Sequence, residues 1–261
     1  MAESRLDSKI LSISRRAVVT PIDSGGENVY SLNSFDSPLA AIREVLLKRP
    51  VEFILASIGL LVSTPLWVIV ALTIKLVDRG PVLYTQERWG RGGQKFRVYK
   101  FRTMEKNSNQ ESTLNQASEN GHRVTPVGRF LRATGMDELP QLLNILRGEM
   151  SIVGPRALAV GETVDDGRGN YSTYESISGF RERLAVRPGL TSLATVYLTK
   201  DVSPRRKFRY DTLYIRKQSI WLDLYLITLS FWISFRGKWE IRERKLGPLG
   251  KRLSTDSLWS L

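Results

Sequence analysis

Residues 51–77 read VEFILASIGLLVSTPLWVIVALTIKLV, with Glu52 and Lys75 as the only charges, each near an end. A stretch apolar on every side is a membrane segment rather than the surface helix of a soluble domain. Ser63-Thr64-Pro65 falls at its middle, and proline removes a helix donor and clashes with the preceding turn. Basic residues flank both ends, Arg43, Lys48 and Arg49 before, Lys75 and Arg79 after. The positive-inside rule is then met most simply with both ends in the cytoplasm. A straight helix of this length reaches about 40 Å against a hydrocarbon core of about 30 Å, so a span also fits on length. The central proline and the matched flanks favour a helix kinked at Ser63, Thr64 and Pro65 that enters the bilayer and returns.

Working outward, the chain has 261 residues, 42% of them hydrophobic and 25% charged, which suits a packed core. It has no cysteine and a single histidine, His122 in a polar stretch, which excludes a disulfide framework and argues against zinc. A metal here is expected to be a hard, oxygen-liganded ion such as Mg²⁺. The net charge of +13 points to an anionic partner: nucleic acid, a phosphorylated substrate or anionic membrane lipids. Residues 1–38 are polar and serine-rich without an apolar core region, so no cleavable signal is expected and the catalytic part is placed in the cytoplasm.

Beyond the membrane segment, Asp78-Arg79-Gly80-Pro81 is a turn, and Val82 to Arg88 and Gln94 to Thr103 read as a β-hairpin around Trp89-Gly90-Arg91-Gly92-Gly93. On a strand Lys100 and Arg102 share a face, either an anion-contact edge or a solvated one. Residues 105–124 form a polar loop, expected to be mobile over the site. Thr125-Pro126 starts a helix with an apolar stripe of Val127, Phe130 and Leu131, and Arg129 and Arg132 on a neighbouring face. A second helix is expected from Asp137, carrying Leu139, Leu142, Leu143 and Leu146 and stopped by Gly148. Asp137 and Glu138 would sit at its N-terminus, where the helix dipole favours ionised carboxylates. By themselves they read first as an ordinary helix cap. Among Arg129, Arg132, Arg147 and Arg156 they are also placed to hold a divalent cation beside a polyphosphate, or to attack it. Asp165-Asp166-Gly167 reads as a solvated turn. Arg181, Arg183 and Arg187 lead into Pro188-Gly189-Leu190-Thr191, and Ser203-Pro204 opens a helix with Arg205, Arg206, Lys207 and Arg209. Ile220 to Phe235 carries Trp221, Tyr225 and Trp232 and is short for a span, so it is an interfacial or core helix. The expected fold is α+β, mainly helical and monotopic: a polar extension (1–44), a re-entrant membrane helix (45–79), a cytoplasmic catalytic domain (80–235) with a small hairpin and interfacial amphipathic helices, and a basic tail (236–261).

Several motifs follow one another in order: Lys48-Arg49, Gly80-Pro81-Val82, Tyr84-Thr85-Gln86-Glu87-Arg88-Trp89-Gly90, and Tyr99-Lys100-Phe101-Arg102-Thr103-Met104. After them come Asp137-Glu138-Leu139-Pro140-Gln141-Leu142, Asn144 with Gly148-Glu149-Met150-Ser151-Ile152-Val153-Gly154-Pro155-Arg156, and Arg187-Pro188-Gly189-Leu190-Thr191. This order resembles the bacterial sugar transferases known as monotopic phosphoglycosyl transferases, which start polyprenol-linked glycan assembly. The resemblance implies transfer of a sugar-1-phosphate from a nucleotide diphosphate sugar, usually a UDP-sugar, to polyprenyl (undecaprenyl) phosphate at the cytoplasmic face of the bacterial inner membrane, with release of UMP. It implies Asp137 as the nucleophile of a double displacement and Mg²⁺ held by Glu138 and Asp137. Arg132 and Arg156 match phosphate-binding positions; Lys100, Arg102, Gln141, Arg187 and Asp211 complete the set of phosphate- or substrate-binding positions. A homodimer on the membrane surface is compatible with such an enzyme. Family members commonly carry aspartate where Glu52 stands, and Ser192 to Tyr197 departs from the usual stretch after the Pro-Gly turn. Two other classes compete, a membrane-anchored nucleic-acid binder and a non-catalytic scaffold. No nucleic-acid motif supports the first, and the carboxylate pair argues against the second.

Overall fold

The computed structural model describes residues 48–105, 124–165, 171–199, 202–237 and 239. The apolar stretch forms helix α1, Arg49–Asp78, which runs through Pro65. The Ser63 and Thr64 hydroxyls both donate to the Leu60 carbonyl, at 3.2 and 2.9 Å, one turn before the proline. One stripe of α1 is covered along its length. Glu52 accepts from the Ser151 hydroxyl and from the Ile152 amide; Ala56 and Leu60 pack with Val98, Leu142, Ile145 and Met150. Further along, Leu66, Trp67, Val70 and Ile74 pack with Phe101 and Leu131, Trp67 edge-on to Phe101 with ring centroids 5.2 Å apart. The opposite face exposes Ile54, Ile58, Leu61, Val62, Ile69, Leu72 and Leu76.

The hairpin forms as expected. Strands β1, Leu83–Trp89, and β2, Lys95–Phe101, pair antiparallel from Leu83↔Phe101 to Trp89↔Lys95. Their turn uses Gly92 and Gly93 at positive φ, the left-handed region glycine enters without strain. β2 stops at Phe101, so Arg102 lies past the strand. Helix α2, Pro126–Thr134, starts at Thr125, whose hydroxyl accepts from the Gly128 amide at 3.0 Å, and ends at Gly135 with φ 72°.

The next element differs from expectation. Asp137 and Glu138 do not begin a helix; they lie in a 3₁₀ turn, Met136–Glu138, and the helix α3 spans Gln141–Arg147. The cause is Pro140: without an N–H it cannot continue the ladder, and the bonds around it, Leu139 to Met136 and Leu142 to Leu139, are one residue shorter than α-helical. Gly148 stops α3 at φ 83°, as the sequence indicates.

Strand β3, Ser151–Val153, precedes a hairpin of β4, Thr163–Asp165, and β5, Tyr171–Thr173, then the short helix α4, Phe180–Arg183. Strand β6, Gly189–Thr191, returns to pair parallel with β3. Ser192 to Tyr197 folds as helix α5, Leu193–Tyr197, capped by the Ser192 hydroxyl on the Thr195 amide and burying Leu193, Ala194 and Val196. Helices α6, Pro204–Lys217, and α7, Ile220–Phe235, complete the fold. Val153, Leu193, Val196, Tyr214, Leu226, Leu229 and Ile233 make the core here. α7 is thus a core helix on one face, while Trp221, Leu224, Phe231, Trp232 and Phe235 are exposed on the rest of it. The architecture is mainly helical with three two-stranded sheets among the described residues. The loop expected over the site (residues 106–123), Asp166-Gly167, the extension at 1–44 and nearly all of the basic tail lie outside the described residues.

Candidate active site

The 3₁₀ turn between α2 and α3 faces two cations brought from elsewhere. Lys100 Nζ, from β2, donates to Glu138 Oε1 at 2.5 Å, and Arg156 Nη2, from the segment after β3, donates to the same oxygen at 2.8 Å. Among the described residues no hydrogen bond reaches Glu138 Oε2 or the Asp137 carboxyl. Lys100 and Glu138 are largely buried, while the Arg156 side chain keeps 47% of its surface exposed.

The two carboxyls are pushed apart. Burial raises Asp137 and the adjacent Glu138 charge raises it further, to about 6, against the opposing pull of Lys100, Arg156 and Arg132. Burial acts upward on Glu138 as well, but the charges of Arg156 and Lys100 and their hydrogen bonds overcome it and hold Glu138 well below the usual carboxylate range. Burial lowers Lys100, with Glu138 opposing. The result is one carboxylate fixed as an anion and a neighbour that changes charge near neutrality.

Lys100 reaches Glu138 because β2 is clamped from behind. Asn144 is fully buried; its Oδ1 accepts from the Tyr99 amide at 3.1 Å, and its Nδ2 donates to the Arg97 carbonyl at 2.8 Å and to Glu149 Oε2 at 2.7 Å. The side chain thereby stands in for a third strand and ties β2 to α3. Arg132 lies on α2 and donates from Nε to the Thr103 hydroxyl at 2.9 Å. Gly128 lets α2 come that close: a Cβ there would stand 2.1 Å from the Thr103 carbonyl oxygen.

The structure therefore gathers Lys100, Arg132, Asp137, Glu138 and Arg156. Gln141 is buried in the first turn of α3. Arg102 instead borders a small pocket with Thr73, Ile74, Val77, Met104, Thr125 and Val127, near the end of α1. Arg187 donates from Nε to the Gly148 carbonyl at 2.9 Å, closing the end of α3. Asp211 is 2% exposed and pairs with Arg183 Nε at 2.8 Å, away from the carboxylates; burial raises its carboxyl and Arg183 opposes the rise. The sequence names Asn144 and Arg183 within its motifs but gives neither a role. Both stand inside noticed stretches, but spacing along the chain carries no sign of partners on distant elements.

A sequence model described as bacterial sugar transferase matches residues 43–237. The chain is 39% identical over 209 residues to the UDP-glucose:undecaprenyl-phosphate glucose-1-phosphate transferase of Klebsiella pneumoniae, covering 78% of this chain and 43% of that protein. It is 38% identical to the exopolysaccharide production protein PSS of Rhizobium leguminosarum bv. phaseoli, covering 70% of this chain and 92% of that protein. With the UDP-N-acetylgalactosamine-undecaprenyl-phosphate N-acetylgalactosaminephosphotransferase of Aeromonas hydrophila the identity is 35%, over 75% and 45% of the two chains. The chain thus spans less than half the length of two of these three relatives.

Proposed function

This chain belongs to the bacterial sugar transferase family, and we propose that it transfers a sugar-1-phosphate from a nucleotide diphosphate sugar, a UDP-sugar by its relatives' names, to polyprenyl phosphate. The observation that carries the reading is the unequal pair: Asp137, without a hydrogen bond among the described residues and raised to about 6, beside Glu138, held ionised by Lys100 and Arg156. In the proposed route a carboxylate oxygen of Asp137 attacks the phosphorus bearing the sugar. The bond from that phosphorus to the UMP oxygen breaks and UMP leaves. An oxygen of polyprenyl phosphate then attacks the same phosphorus and returns Asp137 as a carboxylate. Arg156, Arg132 and Lys100 supply positive charge where the diphosphate would lie.

The donor set also fits Mg²⁺. The Asp137 carboxyl and Glu138 Oε2 present oxygen ligands of the kind Mg²⁺ takes, and water and substrate phosphate would complete its shell. When bound it would neutralise the diphosphate and ease departure of UMP.

The packing of α1 supports a monotopic, re-entrant placement at the cytoplasmic face. Glu52 near one end, Trp67 in the middle and Ile74 near the other all touch the part of the chain that carries the site. A helix crossing the bilayer would draw those partners, polar groups of β2 and α3 included, into hydrocarbon. In that placement α1 and the exposed face of α7 would lie against lipid.

The test is release of UMP from a UDP-sugar by purified protein with Mg²⁺ and polyprenyl phosphate, with trapping of a phosphosugar adduct on Asp137 when donor alone is supplied. An Asp137→Asn variant that retains activity would reject the route. The sugar is found by screening UDP-sugars, since the relatives' names already differ in it.

A further inference from the structure

Arg156 reaches Glu138 from a segment whose successive carbonyls are held by two other arginines. Arg88 Nη1 donates to the Ala157 carbonyl at 3.0 Å, and Arg183 Nη2 donates to the Arg156 carbonyl at 2.8 Å. Arg183 is itself fixed on two further sides. Its Nε bonds Asp211 Oδ2 at 2.8 Å, and its guanidinium lies 4.3 Å from the centre of the Phe208 ring. Phe208 and Asp211 are three residues apart on the buried stripe of α6, so one helix face supplies both the counter-charge and the stacking surface.

We propose that Asp211, acting through Arg183, is a positioning residue that fixes where Arg156 stands against Glu138. The transfer reading above supplies the reason such positioning matters, and this inference rests on it for that consequence. Asp211 cannot touch a soluble donor in this arrangement, being 2% exposed, and its other oxygen, Oδ1, has no hydrogen-bond partner among the described residues. Its one bonded partner there is Arg183. The Arg156 side chain is long and half-exposed, so its aim is set by its backbone rather than by packing around its tip. Without a counter-ion, the buried Arg183 guanidinium is driven toward water or another acceptor. It then abandons the Arg156 carbonyl, and the Glu138 contact loses its support. Lys100 comes to Glu138 from β2 under the separate control of Asn144, and Asp211 leaves it untouched.

That difference gives a test independent of turnover. In the full-length protein, purified in detergent, the rate of phenylglyoxal modification at Arg156 and of acylation at Lys100 is followed by peptide mass spectrometry. Glu138→Gln sets the rate for a released Arg156. Asp211→Asn is expected to raise Arg156 modification several-fold toward that reference with Lys100 unchanged. Arg183→Lys, which keeps a cation for Asp211 but cannot reach both partners, is expected to do the same and serves if the first variant does not fold. Unchanged Arg156 labelling overturns the proposal, and so does a parallel rise at Arg156 and Lys100, which would mark general loosening. In UMP release, Asp211→Asn should add little to the loss caused by Arg156→Ala, whereas additive losses would place Asp211 outside the path to Arg156. If the unaltered protein releases no UMP from any UDP-sugar, the transfer reading fails while the labelling still decides the positioning.

Discussion

Replacing Asn144 by alanine removes three hydrogen bonds from a fully buried site, to the Tyr99 amide, the Arg97 carbonyl and Glu149. The Tyr99 N–H and the Arg97 carbonyl lie on the side of β2 that α3 covers, where water cannot easily replace the amide. An orphaned buried group costs about 1–3 kcal/mol, so the pair predicts a loss of about 2–6 kcal/mol, a large part of the total for a domain of ordinary stability. Asn144→Asp separates geometry from chemistry. It keeps the acceptor for Tyr99 but sets a carboxylate against the Arg97 carbonyl and the Glu149 carboxylate, so it should be at least as damaging at neutral pH and recover on acidification, as its own carboxyl is protonated. Denaturant titration in a fixed detergent gives the stability difference, and UMP release normalised to folded protein gives the effect on the Lys100–Glu138 contact. A loss below about 1 kcal/mol for the alanine variant, or a tolerated aspartate at neutral pH, would refute the view that this side chain holds β2 in place.

The titration of the pair predicts the pH dependence of the proposed first half-reaction. With Asp137 raised from 3.8 to about 6 in the metal-free protein, its carboxylate is lost below that value; bound Mg²⁺ would favour the ionised form, so the acid limb of UMP release from donor alone should move to lower pH as Mg²⁺ is raised. The stability sign follows: Asp137 binds its proton more tightly folded than unfolded, so its contribution to stability falls as pH rises from 3.8 toward 6. Glu138, held low, contributes stability that is present above 4.5 and is lost as pH falls through its depressed folded value. An acid limb that stays in place as Mg²⁺ is raised would remove Asp137 as the titrating nucleophile. Glu52→Leu strands the Ile152 amide and should cost about 1–3 kcal/mol, whereas Glu52→Gln retains an acceptor and should cost less. Equal melting points for the two variants would show that the Glu52 contact is not what ties α1 to β3. Gly128→Ala forces the start of α2 away from Thr103, since its Cβ would meet the carbonyl at 2.1 Å, at about 1–3 kcal/mol. Gly161→Ala, with nothing within 4 Å but φ +70, should show only the backbone strain of about 1–2 kcal/mol.

Local rules carried the sequence reading far where the cause of structure is local, and failed where it is not. Thr125-Pro126, the glycine stops and the hairpin are each set by a few neighbouring residues, and each forms in place. The helix expected from Asp137 does not form because Pro140, three residues on, lacks the N–H that would carry the α-helical ladder of the leucine stripe back over Glu138. That difference changes the chemistry. At a helix N-terminus both carboxylates would be held ionised by the same dipole; in a separate 3₁₀ turn their charges are set instead by what the fold brings to them, and the hydrogen bonds of Lys100 and Arg156 go to Glu138, with none to Asp137 among the described residues. The asymmetry between the two acids is therefore a tertiary property. It depends on Asn144 holding β2, and on Arg183 and Asp211 behind Arg156, contacts that span 45, 27 and 28 residues of sequence and leave no mark in the spacing of any one motif.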